Sequence, residues 1–181
     1  MSATAEYIEA QDELTESMEE LIASLPEEAQ ENTNELFRIL GDGGSFGDLY
    51  GIDEERLEAV YSVAHTLYGN GKFEDAATMF RFLCLMEHAE ERYWMGLGAT
   101  EQMLGNYEKA LEAYAQATLL DIDDPRPQIQ AGYCLIKLEL FEGATQALEG
   151  ALLAENIDYQ TRIQAEAMLA RIEGEALDHD A

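Results

Sequence analysis

The sequence predicts an all-α chain of paired helices stacked in tandem, and three observations predict it. Residues recur at a spacing of 34: Ala76, Ala110 and Ala144; Phe73, Tyr107 and Phe141; Ala64, Gly98 and Gly132; Phe80, Tyr114 and Leu148; Leu83, Ala117 and Ala151. These five series span three copies, at 57–90, 91–124 and 125–158, and form the strongest signal in the chain. Each copy also reads as an apolar helix A, a turn and an apolar helix B. The turns are "GNGKF" (69–73), "GNY" (105–107) and "ELF" (139–141). Finally, the recurrent small residues fall where helices A and B would cross, at 64, 98 and 132 on helix A and 76, 110 and 144 on helix B. A larger side chain there would force the helices apart, which explains glycines that each cost about 1 kcal/mol inside a helix. Gly71 and Gly105 stand at helix A exits, where glycine accepts a left-handed backbone. Gly96 is explained by neither crossing nor turn, and its expected role is to leave room for a ligand.

Composition narrows the function classes. The chain has 181 residues, 47% of them apolar, which is enough for one domain with a real core. Asp and Glu number 38 against 10 Lys and Arg, a net charge of −28. That surface repels phosphate, so neither nucleic acid nor direct insertion into an anionic membrane is expected. Residues 1–56 carry 16 acids and 2 bases, the most acidic third of the chain. Cys84 and Cys134 lack metal-ligand spacing and suit a reducing cytoplasm. The opening "MSATAEYIEAQDELTE" has no basic region and no apolar run, so it does not read as a secretory signal. No apolar stretch is long enough for a transmembrane helix.

Taken in order, the flanking elements are also helical. Tyr7, Leu14 and Leu21 form one partial heptad series and Met18 and Leu25 another, on an amphipathic helix that needs a partner surface. "SLPE" (24–27) reads as a second helix start with Ser24 as cap, running to about Leu40 and burying Leu36, Phe37, Ile39 and Leu40. "GDGGSFGDLYGID" (41–53) is a glycine-rich connector. It lacks the preceding strand and terminal Lys-Ser or Lys-Thr of a phosphate loop, and Asp42 and Asp48 would repel phosphate. Residues 159–181 supply a final helix, with Ile163, Ala167, Leu169, Ala170 and Ile172 covering the last repeat, and a frayed tail.

No catalytic constellation emerges. His65 and His88 occupy different repeat positions and His179 lies in the tail. Cys84 and His88 share a helix face but lack two further ligands, so neither metal nor cofactor is expected. No serine or cysteine has an identifiable base, so the chain does not read as an enzyme.

The second copy places Trp94, Leu97, Gly98, Gly105, Tyr107, Ala110, Tyr114 and Ala117 at spacings that resemble the tetratricopeptide repeat. The resemblance implies a short superhelical solenoid. Trp94, a large apolar residue at helical spacing, is expected in its core. Pro125 and Pro127 open the third unit, and Glu139 stands where its turn would carry glycine. In this repeat the fifth, ninth and twelfth positions face inward: Tyr61, His65 and Tyr68; Met95, Ala99 and Gln102; Ile129, Tyr133 and Ile136. Such a groove, with few charges, suits an extended apolar peptide.

The phrases "FRFLCLMEH" and "RYWMGLGA", after the link "GDGGSFGDLYGI", are similar to those of class II chaperones of bacterial type III secretion. The resemblance covers residues 36–172. It implies a bacterial cytoplasmic chaperone that holds hydrophobic translocator proteins without ATP, with Tyr61, His65, Tyr68, Arg92, Met95, Ala99 and Gln102 at the groove. It further implies homodimerisation through the N-terminal region, where Tyr7, Leu14, Met18, Leu21 and Leu25 are the candidates. In some members it implies assistance to a transcription regulator. The alternative is a general tetratricopeptide-repeat adaptor that grips a partner's tail through basic residues, for which the unit starts offer only Arg92 and Arg126.

Overall fold

A computed structural model of the chain describes residues 42–179 continuously, with part of 23–39 before them. Tyr7, Leu14, Met18, Leu21 and Leu25 lie outside the described residues, as do Leu36, Phe37 and Leu40. Residues 1–51 and 52–181 form two compact units.

In the first unit, the amides of Ala29 and Gln30 donate to the Pro26 carbonyl, and Glu27 is already helical. The glycine-rich link is not featureless, since it folds into a single-turn helix α1, Phe46–Leu49. Ser45 and Asp48 close it with a reciprocal capping box: Asp48 N–H donates to Ser45 Oγ at 3.2 Å, and Ser45 N–H to Asp48 Oδ2 at 2.8 Å. Asp48 is therefore spent on its own backbone.

The second unit contains seven helices: α2 (Glu54–Gly69), α3 (Phe73–Met86), α4 (Glu91–Met103), α5 (Tyr107–Leu120), α6 (Arg126–Lys137), α7 (Phe141–Leu152) and α8 (Tyr159–His179). Each packs on its successor. The alternate helices α2, α4, α6 and α8 also touch in sequence, whereas α3, α5 and α7 do not touch one another. Contact along one row and none along the other means that the stack curves, with α2, α4 and α6 on its inner side.

The repeated small residues do what their period requires. Ala64, Ala76, Ala110 and Ala144 are completely buried. A Cβ on Gly98 would come within 2.6 Å of the Tyr114 ring, and one on Gly132 within 2.8 Å of Leu148. Those large residues therefore fill the notch left by the helix A glycine, and both are sealed from solvent.

All three hairpin turns share one geometry. Lys72, Asn106 and Leu140 donate back to the carbonyls of Leu67, Glu101 and Leu135, each at 2.9 Å, across a left-handed residue. Gly71 and Gly105 hold that conformation at φ 72° and 77°. Glu139 holds it at φ 59° with a full side chain, so the third turn keeps its shape without the expected glycine.

Two core assignments need correction. Trp94 is only half-buried, and its indole N–H reaches out to the His88 carbonyl at 2.8 Å. The neighbouring Tyr93 takes the core position, 3% exposed. An indole needs an acceptor when partly covered, and the α3–α4 loop supplies one. On α8 the buried stripe is Ala165 and Ile172, flanked by Met168 and Leu169, whereas Ile163, Ala167 and Ala170 are exposed.

A buried acid also joins the hairpins. Glu101 is 2% exposed, accepts from Arg81 on α3 at 2.7 Å, and accepts from the Asn106 side chain in the next turn at 2.7 Å. Both carboxylate oxygens are thus paired, as burial of a charge demands.

Candidate functional site

The inner face of α2 and α4 encloses a groove of about 350 Å³. Helix α2 lines it with Tyr61, His65 and Tyr68, spaced by four and then three residues and so on one face. Helix α4 adds Arg92, Met95 and Ala99 by the same logic. Six residues expected from the sequence therefore meet in one cavity.

The others go elsewhere. Ile129 and Ile136 are 1% and 5% exposed and belong to the core with Leu148 and Ala151 of α7 and Ala165 and Ile172 of α8. Packing of α8 against α6 and α7 covers the third unit, where the first two stay open. Gln102 does not line the cavity. Its side-chain oxygen accepts from the Tyr114 hydroxyl at 3.0 Å and the Cys134 thiol at 3.5 Å, a half-buried link between the second and third units. Tyr133 packs edge-on to Tyr107, ring centres 6.5 Å apart, with the Lys137 ammonium 5.4 Å from its ring centre.

Phe80, Glu91, Gly96 and Arg126 also line the groove; of these the sequence placed only Gly96 beside it, as room for a ligand. Phe80 reads as a core residue and is one, at 2% exposure, yet its ring forms the floor. Gly96 is the reason. A Cβ there would come within 2.2 Å of the Phe80 ring, so the glycine is a seat for Phe80 and not room for a ligand. An unexplained glycine on helix A was the available signal. Tyr61 then packs edge-to-face on this floor, its ring centre 6.0 Å from that of Phe80, and lies tilted against Tyr93 at 5.7 Å.

The rim is more charged than expected, with Glu91, Arg92 and Arg126 around the apolar floor. Arg92 lies 5.1 Å over the Tyr61 ring and bonds Glu90 at 3.0 Å and Glu58 at 3.4 Å. Its hydrogen bond holds the Glu90 carboxyl below the ordinary range. Arg126 is held by Asp124, with Nε to Oδ2 at 2.8 Å. Burial works against the Asp124 charge, but the hydrogen bonds from Arg126 outweigh it and lower its pKa. Burial, reinforced by the Asp124 charge, pushes Glu91 up.

Chemically the groove offers aromatic faces, a thioether and fixed charges, which suit contact with an extended chain. Both cysteines are buried, and burial pushes each thiol up to about 12, so neither is a ready nucleophile. Among the described residues no three His, Cys, Asp or Glu side chains converge as a metal site, and no helix is long and apolar enough to cross a membrane.

Residues 57–89 and 93–124 match the tetratricopeptide repeat family. The chain is 36% identical to low calcium response locus protein H of Yersinia pestis over 131 residues, covering 72% of this chain and 76% of that one. Its fold is similar to the Yersinia enterocolitica type III secretion chaperone SycD, solved with a peptide of the translocator YopD (TM-score 0.65, 30% identity, 69% of this chain and 98% of that chain). It is equally similar to PcrH of Pseudomonas aeruginosa with the chaperone-binding region of PopD (TM-score 0.65, 33% identity, 70% and 97%).

Proposed function

The chain belongs to the tetratricopeptide-repeat chaperones of type III secretion translocators, and from that membership we propose that it holds an extended segment of a hydrophobic translocator in the α2–α4 groove. The observation that carries this reading is the cavity of about 350 Å³ with Tyr61, Tyr68, Phe80 and Met95 on its walls and floor. Each aliphatic anchor buried there contributes roughly 1.5–3 kcal/mol, so two or three give micromolar retention. Binding of this kind consumes no ATP, and the net charge of −28 keeps the loaded chaperone dissolved. The chain acts in the bacterial cytoplasm as a binding protein and not as an enzyme.

Residues 57–158 serve as the three repeats, 159–181 as the cap, and 1–56 as the acidic leader that pairs two copies through Tyr7, Leu14, Met18, Leu21 and Leu25. The relative SycD is known in an alternative dimer. The adaptor alternative loses ground because Arg92 and Arg126 already pair with Glu90 and Asp124, and a carboxylate tail would have to displace those acids.

Co-expression with a translocator tests the reading. Wild type keeps the partner soluble, and Tyr61→Ala/Tyr68→Ala, folded by circular dichroism, releases it. Equal retention by both would exclude the groove as the main site.

A further inference from the structure

Among the described residues, Leu153 and Ile122 are the two most exposed large apolar side chains, at 84% and 79%. Both stand on the wall of one cleft of about 300 Å³, between the α5–α6 loop and the end of α7. This cleft shares no lining residue with the α2–α4 groove. The repeat explains why it is open. Gln128 on its wall stands 34 residues after Trp94, Gly150 stands 34 after Gln116, and Ile122 stands 34 after His88. In the second unit the Trp94 indole crosses to the His88 carbonyl at 2.8 Å, so a large ring spans this joint. In the third unit a smaller amide replaces the ring, and a glycine replaces Gln116. Neither a turn nor packing requires Gly150. It lies within α7, and a Cβ on it would meet only the flexible end of Gln128, at 3.0 Å. The joint therefore keeps room for one large side chain, framed by two apolar side chains that face water.

We propose that this cleft is a second docking site, which takes one Trp, Phe or Leu side chain flanked by Lys or Arg in a short segment of a partner protein. Charge selects that occupant. Asp123 and Glu155 line the cleft, Asp121 stands beside them in the loop, and no Lys or Arg is among the lining residues. A basic flank is drawn in by those acids. The phosphates of nucleic acid or anionic lipid are repelled by them and by the net charge of −28. A second copy of the chain would bring the same excess of acid against them. The Gln128 amide on the wall offers a donor and an acceptor to the backbone of the entering segment. Because cleft and groove share no residue, the chain can hold a client and a second protein at once.

The test pans a display library of 12-residue peptides against the full-length chain, with counter-selection on Gln128→Trp/Gly150→Gln. That variant gives the cleft the pair found at Trp94 and Gln116, and is expected to melt like wild type. Surviving peptides are expected to carry an aromatic residue or Leu beside Lys or Arg, and to bind wild type roughly tenfold or more tighter than the closed variant. They bind Tyr61→Ala/Tyr68→Ala as they bind wild type. Asp123→Asn/Glu155→Gln, whose cleft stays open, weakens them about threefold or more and flattens the dependence of binding on salt. Ile122→Ser/Leu153→Ser changes only exposed positions, and unaltered affinity there overturns the inference even where the closed variant fails to fold. Survivors without a cation overturn it, as does a library with no survivor. Loss of affinity for the Tyr61/Tyr68 variant overturns it by placing the peptides in the groove. Dimerisation of wild type that the closed variant lacks, seen by sedimentation, overturns it by making the cleft a contact between copies.

Discussion

At the scale of single residues, the repeat turned out to be written in pairs. Gly96, Gly98 and Gly132 on the A helices matter through the ring or branched chain opposite, so Gly98→Val forces Tyr114 out of its seat and costs about 3 kcal/mol or more, measured by urea denaturation. Gly96→Ala is more selective. The Phe80 ring has the groove as its nearest free space, so the expected outcome is a folded protein whose client affinity drops at least fivefold, read by titration calorimetry. The opposite sign is expected at Glu139, where a side chain occupies a left-handed backbone at φ 59°. Glu139→Gly relieves a strain of about 1–2 kcal/mol, less the extra flexibility of unfolded glycine, and raises the melting temperature by a few degrees. Repeat spacing made Gly98, Gly132 and Glu139 legible. It could not reveal that Gly96 seats Phe80, because the counterparts of Gly96 at the repeat spacing are Ser62 and Gln130, so that contact leaves no periodic trace.

At the scale of helices, the joints carry buried polar links that composition alone hides among 38 acids. Glu101 is sealed between α3, α4 and the next turn, and its two partners are Arg81 and Asn106. Arg81→Met leaves that charge half-paired and destabilises by about 2 kcal/mol, whereas Arg81→Met/Glu101→Leu recovers much of the loss, because the desolvated charge goes with it. A denaturant series on the two variants checks this. The thiols of Cys84 on α3 and Cys134 on α6 set the alkaline limit. Their folded pKa is about 12 against an ordinary 9.0, so both states are protonated below 9 and stability is full there. Above 9 only the unfolded chain releases these protons, and each thiol withdraws up to about 1.4 kcal/mol per pH unit until 12. Stability measured across pH 7–11 is therefore flat and then falling, and native alkylation at pH 8 leaves both cysteines unmodified. Helix existence and order were legible from period and turns. Trp94 was misplaced because a repeat signature records size at a position, while burial depends on which face the next loop covers.

At the scale of the whole stack, helix α8 decides where the groove ends. It packs against α6 and α7, taking Ile129 and Ile136 into the core, so the position that lines the cavity with Tyr61 and Met95 is closed in the third unit, as is the one that lines it with Tyr68 in the first. The inward rule assumed a further open repeat, and the cap removed it. Deleting residues 159–181 exposes Ile129, Ile136 and Leu148, and the truncated chain is expected to aggregate or to melt at least 10 °C lower, as followed by light scattering during a thermal ramp. The row of α3, α5 and α7, whose members never touch, has a mechanical meaning as well. Each outer helix is held only by the helices before and after it in the chain, so a change of curvature is taken up by sliding at the α3–α4 and α5–α6 packings, with no outer row to resist it. Client segments of different girth can then be gripped by the same set of side chains, through a change of curvature and without rebuilding the walls.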